Sequence, residues 1–281
     1  MTKEDYIYLL NKPKGITSFA ALFPIKKECK KTTKVGHTGT LDPFATGLLL
    51  VLTGRATRFV QDFNFEKVYT GEFETGFETD TLDITGKTVY KTTNLLDLNL
   101  ANQTISKYLK SGFMQTPPLY SAKKINGKKA CDLARQGESV ELKSELKKIY
   151  TLKITKISQT TFSFECKVEA GTYVRSLISA LCRQNSTLGT VTKLNRVSVG
   201  EFNLPDIQPG EFQKIELSAW LKTKYPFIEL SEFSTKLIEN GATLSFKHFN
   251  IKKDFVATNA GKPIALVKYI ENKNEYKPRV I

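Results

Sequence analysis

The chain has 281 residues, 40% of them hydrophobic and 11% aromatic, which excludes a disordered polymer and allows one large core with a small appendage. Its 42 Lys and Arg against 28 Asp and Glu give a formal net charge of +14, which favours a polyanionic partner because each neutralised phosphate releases a counterion. The four cysteines, at 29, 131, 166 and 182, include no C-x-x-C pair, and the two histidines are His37 and His248, so neither a disulfide framework nor a zinc ribbon is expected.

Tyr6 to Leu10 reads as a strand stopped by Asn11, Pro13 and Gly15. Ser18 is placed to cap a helix through Phe19, Leu22 and Phe23, which Pro24 interrupts. Gly36 to Pro43 reads as a loop, and Pro43 to Leu52 as a helix ended by Gly54. Lys67 to Thr75 alternates, with Tyr69, Gly71 and Phe73 on one face, and predicts a strand. Leu98, Ala101, Ile105 and Leu109 have helical spacing. Thr160 to Ala170 is the clearest strand, with Phe162, Phe164, Cys166 and Val168 on one face. Val174, Leu177, Ile178 and Leu181 then mark an amphipathic helix. Strands and helices do not alternate regularly, so the expected class is α+β. A boundary is expected near Tyr225–Pro226. Short strand-like pieces follow, at Phe255 to Thr258 and Pro263 to Tyr269. The start of the chain, with Lys3, Glu4 and Asp5, does not read as a signal peptide, and the apolar run Leu48 to Leu52 is too short to span a bilayer. The expected setting is cytoplasmic, away from membranes.

Charge is unevenly spread. Lys26, Lys27, Lys30, Lys31 and Lys34 form one basic cluster, Lys123, Lys124, Lys128 and Lys129 a second, and Lys143, Lys147 and Lys148 a third. Glu66 to Asp83 is mostly acidic. A one-sided basic surface suits a nucleic-acid backbone. Asp42 stands before Pro43 in the stretch Lys34 to Arg58. Taken alone, Asp42 reads either as the cap of a helix or as a nucleophile or base, its carboxylate kept ionised by a helix N-terminus.

Gly36-His37-Thr38-Gly39-Thr40-Leu41-Asp42-Pro43 and the residues through Leu49 resemble the catalytic motif of the TruB family of pseudouridine synthases. Further blocks resemble that family in order. They are Lys12 to Ser18; Lys67-Val68-Tyr69 followed by Gly76 to Gly86; Gln115 to Lys124 with Gly127-Lys128; Gly171 to Leu177; and Val191 to Phe202, which includes Leu194 and Arg196. Together they cover roughly 200 residues. Two departures stand out: Ala170, where relatives often carry a polar residue, and Asn195, where arginine is common.

The resemblance implies an enzyme that isomerises uridine to pseudouridine at position 55 in the T-loop of tRNA, by base flipping and without cofactor or metal. Asp42 takes the catalytic role by this reading. Whether it attacks C1′, adds at C6 or removes a sugar proton stays open. Arg175 pairs with Asp42, the Tyr69 ring stacks on the target base, Leu194 packs against it, and His37 works at the RNA surface. Lys12 and Pro13 support the wall of the site. Lys124 and Lys128 belong to an RNA-gripping loop over about residues 115–137. The implied fold is a catalytic domain over 1–225, built on a central mixed and largely antiparallel sheet, with a PUA-like, β-rich RNA-binding module over 226–281. The expected partner is the tRNA T-arm, bound by a monomer that needs no protein partner. Three rivals remain: a non-catalytic RNA-binding or tRNA-folding protein, a metal-dependent hydrolase using His37 and Asp42, and a synthase acting on another RNA site.

Overall fold

The apolar run Leu48 to Leu52 decides the architecture. It lies in a strand, Thr46–Thr53, and not in the helix expected over Pro43 to Leu52. All five side chains are buried. Leu48, Leu50 and Leu52 enter one core cluster, while Leu49 and Val51 enter another. A strand buried on both faces carries an uninterrupted apolar run, and periodicity cannot separate that pattern from a buried helix.

The computed structural model describes residues 5–280 apart from 64, 119, 121–123, 126–127, 130–141, 241, 246–248 and 250. Its main sheet has nine strands. They are β1 (Tyr6–Lys12), β2 (Val35–His37), β3 (Thr46–Thr53), β4 (Lys67–Thr75), β5 (Ile149–Lys156), β6 (Thr161–Val168), β7 (Gly189–Val199), β8 (Phe202–Asn203) and β9 (Phe212–Glu216). The order is β5–β6–β4–β7–β3–β1–β9, with β2 paired to β3 and β8 to β7. The pairing is antiparallel except between β7 and β3, where Asn195 faces Thr46 and Arg196 faces Gly47. Gly47 has φ +100°, and a Cβ there would lie 2.4 Å from the Arg196 carbonyl oxygen, so this close parallel contact needs glycine. The Asn195 Oδ1 accepts from the Thr46 hydroxyl at 3.0 Å and ties the same two strands.

Strand β4 spans the expected residues, with Lys67, Tyr69, Phe73 and Thr75 buried. Strand β6 shows the expected alternation, with Phe162, Phe164, Cys166 and Val168 buried. Helices α1 (Ser18–Ala21) and α2 (Phe23–Glu28) replace the single helix expected from Ser18. Thr17, not Ser18, is the cap, accepting from Ala20 N at 3.1 Å. Pro24 sits in the first turn of α2, where its missing N–H costs nothing. Helices α3 (Leu98–Ser111) and α4 (Val174–Gln184) pack their apolar stripes with Phe73, Phe162, Phe164 and Val191 of the sheet in one core. Helix α5 (Leu217–Lys224) follows β9.

A second sheet holds β10 (Phe227–Glu229), β11 (Leu244–Ser245), β12 (Phe255–Asn259), β13 (Lys262–Ile270) and β14 (Glu275–Val280), in the order β10–β12–β13–β14–β11. Helix α6 (Glu232–Glu239) accompanies it. The two sheets share a core: Val256 and Leu266 belong to the cluster of Phe59, Phe63 and Trp220. Buried Asp62 accepts from Lys268 Nζ at 2.6 Å and pairs with Arg279, and Arg58 Nη1 donates to the Val280 carbonyl at 3.1 Å. A sheet this small gains stability from the shared core. Three short strand pairs stand apart: Phe77–Thr79 with Thr88–Lys91, Phe113–Gln115 with Glu145–Lys147, and Lys124–Ile125 with Lys128–Lys129. Among the described residues no helix is long and apolar enough to cross a membrane.

Candidate active site

Thr38 to Ala45 is the loop between β2 and β3. Asp42 lies in a turn of it, closed by Ala45 N donating to the Asp42 carbonyl at 3.1 Å. No helix begins there, so the dipole expected to hold Asp42 ionised is absent. Polar contacts from the N-terminal segment fix the loop instead. Gly15 N donates to the Pro43 carbonyl at 2.7 Å. Lys12 Nζ donates to the carbonyls of Pro13 and Ile16 at 2.8 Å and of Pro43 at 3.3 Å. Ser18 Oγ accepts from Leu41 N at 2.7 Å and donates to the Leu41 carbonyl at 2.9 Å. Lys12 is fully buried, and burial brings its pKa down to about 8, with Asp42 opposing and Arg196 adding to the shift.

Arg175 lies in the first turn of α4. It is 3% exposed, as buried as the stripe itself. Its Nη2 donates to Asp42 Oδ1 at 2.9 Å, and its Nε lies 2.8 Å from Asp42 Oδ2. Nη1 donates to the Thr81 carbonyl at 2.5 Å and lies 3.2 Å from Asp83 Oδ2. Nη2 also reaches the Tyr120 carbonyl at 3.2 Å. A guanidinium this deep is tolerated because two carboxylates and two carbonyls face it. Asp83 is held in turn by Thr81 Oγ1 at 3.0 Å, Thr85 N at 2.9 Å and the Thr85 hydroxyl. Leu82, between Thr81 and Asp83, has φ +62°, a conformation that costs a branched residue energy.

Asp42 is the outward end of this network, its side chain 29% exposed. Burial pushes its carboxyl up, Arg175 pulls it back, and Asp83 pushes it up again; the balance lies above the ordinary aspartate value. The carboxyl faces a cavity of about 450 Å³, within the range of sites that take small organic groups. Tyr69 from β4 and Leu194 from β7 line it, together with Thr38, Lys67 and Arg196. Tyr69 and Leu194 are each 6% exposed, so both complete the apolar core and present a surface to the cavity. The Tyr69 hydroxyl lies beside the Arg196 guanidinium, and burial raises its pKa, so it stays protonated.

His37 does not line the cavity; its neighbour Thr38 does. His37 lies in β2, half-buried, with Nδ1 unpartnered among the described residues, and burial first and Arg196 second lower its pKa. It is therefore neutral at neutral pH. Pro13 meets the site through its carbonyl on Lys12. Lys124 and Lys128 lie in a short antiparallel pair, and their side chains fall outside the described residues, as do 130–137 of the expected gripping loop. His248 also falls outside them. Among the described residues no three His, Cys, Asp or Glu side chains cluster to hold a metal.

The pattern describing the N-terminal domain of the TruB family of pseudouridylate synthases matches residues 26–174. A protein of Onion yellows phytoplasma named tRNA pseudouridine synthase B is 34% identical over 278 residues, 97% of this chain and 98% of its own. The chain belongs to the TruB family. Proteins of the same name from Fusobacterium nucleatum and Caldanaerobacter subterraneus are 41% identical over 70% of this chain and 69% of theirs, and 36% identical over 90% of each. Among solved structures, a Cbf5–Nop10–Gar1 complex has a chain with a TM-score of 0.64 at 21% identity, covering 98% of this chain and 82% of that one. This likeness concerns the fold.

Sequence reading gave no role in the site to four residues of this TruB-family chain: Ser18, Lys67, Asp83 and Arg196. Two of them carried a signal. Lys67 stands two residues before Tyr69 in β4, and Arg196 two residues after Leu194 in β7. A spacing of two along a strand puts side chains on one face, so both had to point where Tyr69 and Leu194 point. Asp83 and Ser18 act through loop geometry, which has no such period.

Proposed function

We propose that the chain converts one uridine of tRNA, at position 55 in the T-loop, into pseudouridine. In this reaction the N1–C1′ bond breaks, the base turns, C5 bonds to C1′, the C5 proton leaves and N1 gains one. Nothing is oxidised or hydrolysed, and the overall composition of the nucleotide is unchanged. The observation that carries this reading is the Asp42 carboxylate, held at two atoms by buried Arg175 and facing a cavity lined by Tyr69 and Leu194. A base extruded from its stack needs an aromatic platform and an apolar counterface, and these two residues supply them. The relatives' shared name supports tRNA as the substrate.

Residues 1–225 carry the reaction by this reading, and 226–281 form an RNA-binding module. The basic clusters favour a polyanion. Four of the six carboxylates in the acidic stretch are paired with cations: Glu66 with Lys167, Glu72 with Lys193, Glu78 with Arg183 and Asp83 with Arg175.

The test is to incubate the purified protein with an unmodified tRNA transcript and map pseudouridine by carbodiimide-dependent reverse-transcription stops, with and without a chelator. The expected result is one stop, at the T-loop uridine, indifferent to the chelator. Conversion at another site would refute the T-loop assignment, and chelator sensitivity would favour the metal-dependent rival.

A further inference from the structure

Lys67 is a buried ammonium with nothing opposite it. It is 7% exposed and lines the cavity. Among the described residues it has no hydrogen bond and no carboxylate partner, and the charged neighbour that perturbs it is Arg196, of like sign. Arg196 is fully buried and is fastened by Nε to the Leu48 carbonyl at 2.7 Å and by Nη2 to the Gly39 carbonyl at 3.0 Å. Its Nη1 is left without a geometrically satisfactory partner, and so is the Thr38 hydroxyl. These groups meet around Gly39: a Cβ at that position would lie 3.4 Å from Lys67 Nζ and 3.7 Å from Arg196 Nη1. Thr38 is the preceding residue. Two cations side by side in a buried wall, with an unpartnered hydroxyl on the residue before Gly39, lack the anion that burial of charge demands.

We propose that Lys67 and Arg196, with the Thr38 hydroxyl, form a seat for a backbone phosphate of the nucleotide whose base enters the cavity. The inference rests on the RNA substrate proposed above. A uracil carbonyl would bring only partial charge and leave the pair largely uncompensated, whereas a phosphodiester brings a full negative charge and several acceptor oxygens. Neither carboxylate of the cavity lining serves, since Asp42 is paired with Arg175 and Glu145 with Lys147, and neither acts on Lys67.

The seat has a proton-linked signature. Burial, and then Arg196, bring Lys67 down to about 8 in the free protein. A phosphate beside it restores the ammonium. Binding therefore takes up a proton above that value, and affinity falls as pH rises through it.

The experiment measures binding of an RNA hairpin with the sequence of a tRNA T-arm, in an Asp42→Asn background that blocks turnover. Affinity is followed against salt and against pH for Lys67, Lys67→Met and Lys67→Arg. Lys67→Met is expected to weaken binding about tenfold at moderate salt and to lower the slope of log affinity on log salt by about 0.7–0.9, the value of one phosphate contact. It also removes the fall in affinity with pH. Lys67→Arg keeps the salt slope and loses the pH dependence, because a guanidinium does not titrate there. That pattern distinguishes a lost charge from a damaged fold. A Lys67→Met protein that binds with unchanged slope and unchanged pH dependence overturns the seat while leaving the RNA reading in place. Failure of every variant, the Lys67 parent included, to bind the hairpin removes the RNA reading and the seat with it.

Discussion

Two parts of the same cavity wall handle buried charge in opposite ways. Around Asp42 the charges are closed on one another: Arg175 meets Asp42 and Asp83 and takes two carbonyls besides, and Asp83 is held by Thr81 and Thr85. Around Lys67 they are open: Lys67 and Arg196 line the cavity with no carboxylate between them, and Arg196 Nη1 and the Thr38 hydroxyl lack partners. The closed part is organised before any substrate arrives, which suits a group that must present one carboxylate at a fixed angle. The open part is costly in the free protein, and that cost is relieved by an anion. Within one site, groups that do chemistry are braced by the fold, while groups that bind are left for the substrate to complete.

The sharpest way to break the comparison is to open the closed part. Arg175→Met leaves Asp42 and Asp83 facing each other without their common cation. Removing one partner of a buried pair costs about 3–5 kcal/mol. The variant is expected to lose that much stability in a urea titration and to lose pseudouridine formation more than about 100-fold. A variant that turns over normally would show that the network does not position Asp42.

A smaller effect is expected where the second sheet docks. Asp62 is buried, but its partners Lys268 and Arg279 remain 40% and 29% exposed, so solvent screens much of the interaction. Asp62→Ala is expected to cost about 1–2 kcal/mol and to leave turnover of a bound T-arm hairpin unchanged. Stability within error of the parent would assign the docking to the shared apolar core alone.

The smallest effect tests a closed pair outside the cavity lining. Buried Glu78 accepts from Ser179 Oγ at 2.7 Å and Arg183 Nε at 2.9 Å. Burial alone would raise its pKa, but these donors outweigh burial and lower it. A depressed carboxyl stabilises the fold above its unfolded value and loses that contribution as pH falls through the folded one. Glu78→Gln is therefore expected to cost about 1 kcal/mol at neutral pH, with the difference vanishing in acid below the ordinary glutamate range. A difference independent of pH would contradict the assignment.

The same contrast explains what could be read in the chain. Lys67 to Thr75 was legible to its ends because one buried face imposes alternation. Leu48 to Leu52 was misread as helix because burial on both faces erases that alternation, and the error carried to Asp42, which was given a helix dipole it does not have. Arg175 falls outside the apolar spacing of Val174, Leu177, Ile178 and Leu181, and a cation at such a position is usually exposed. Its burial depends on Asp42 and Asp83, which are 133 and 92 positions away in the chain. Asp42, Tyr69 and Leu194 were found through motif resemblance and are gathered at one cavity by β3, β4 and β7 and the loops between them. The motifs quoted Lys67, Asp83 and Arg196 as letters without roles, since a polar residue declares its partner only once the fold has chosen its neighbours.

The account stands on the Asp42 carboxylate as the group that acts on the nucleotide. The direct measurement is tritium release from a tRNA transcript labelled at C5 of uridine, under single-turnover conditions, with binding followed in parallel for the parent and for Asp42→Asn. The account predicts binding within a few-fold of the parent and no tritium released by the variant. Release at a rate near that of the parent would contradict it.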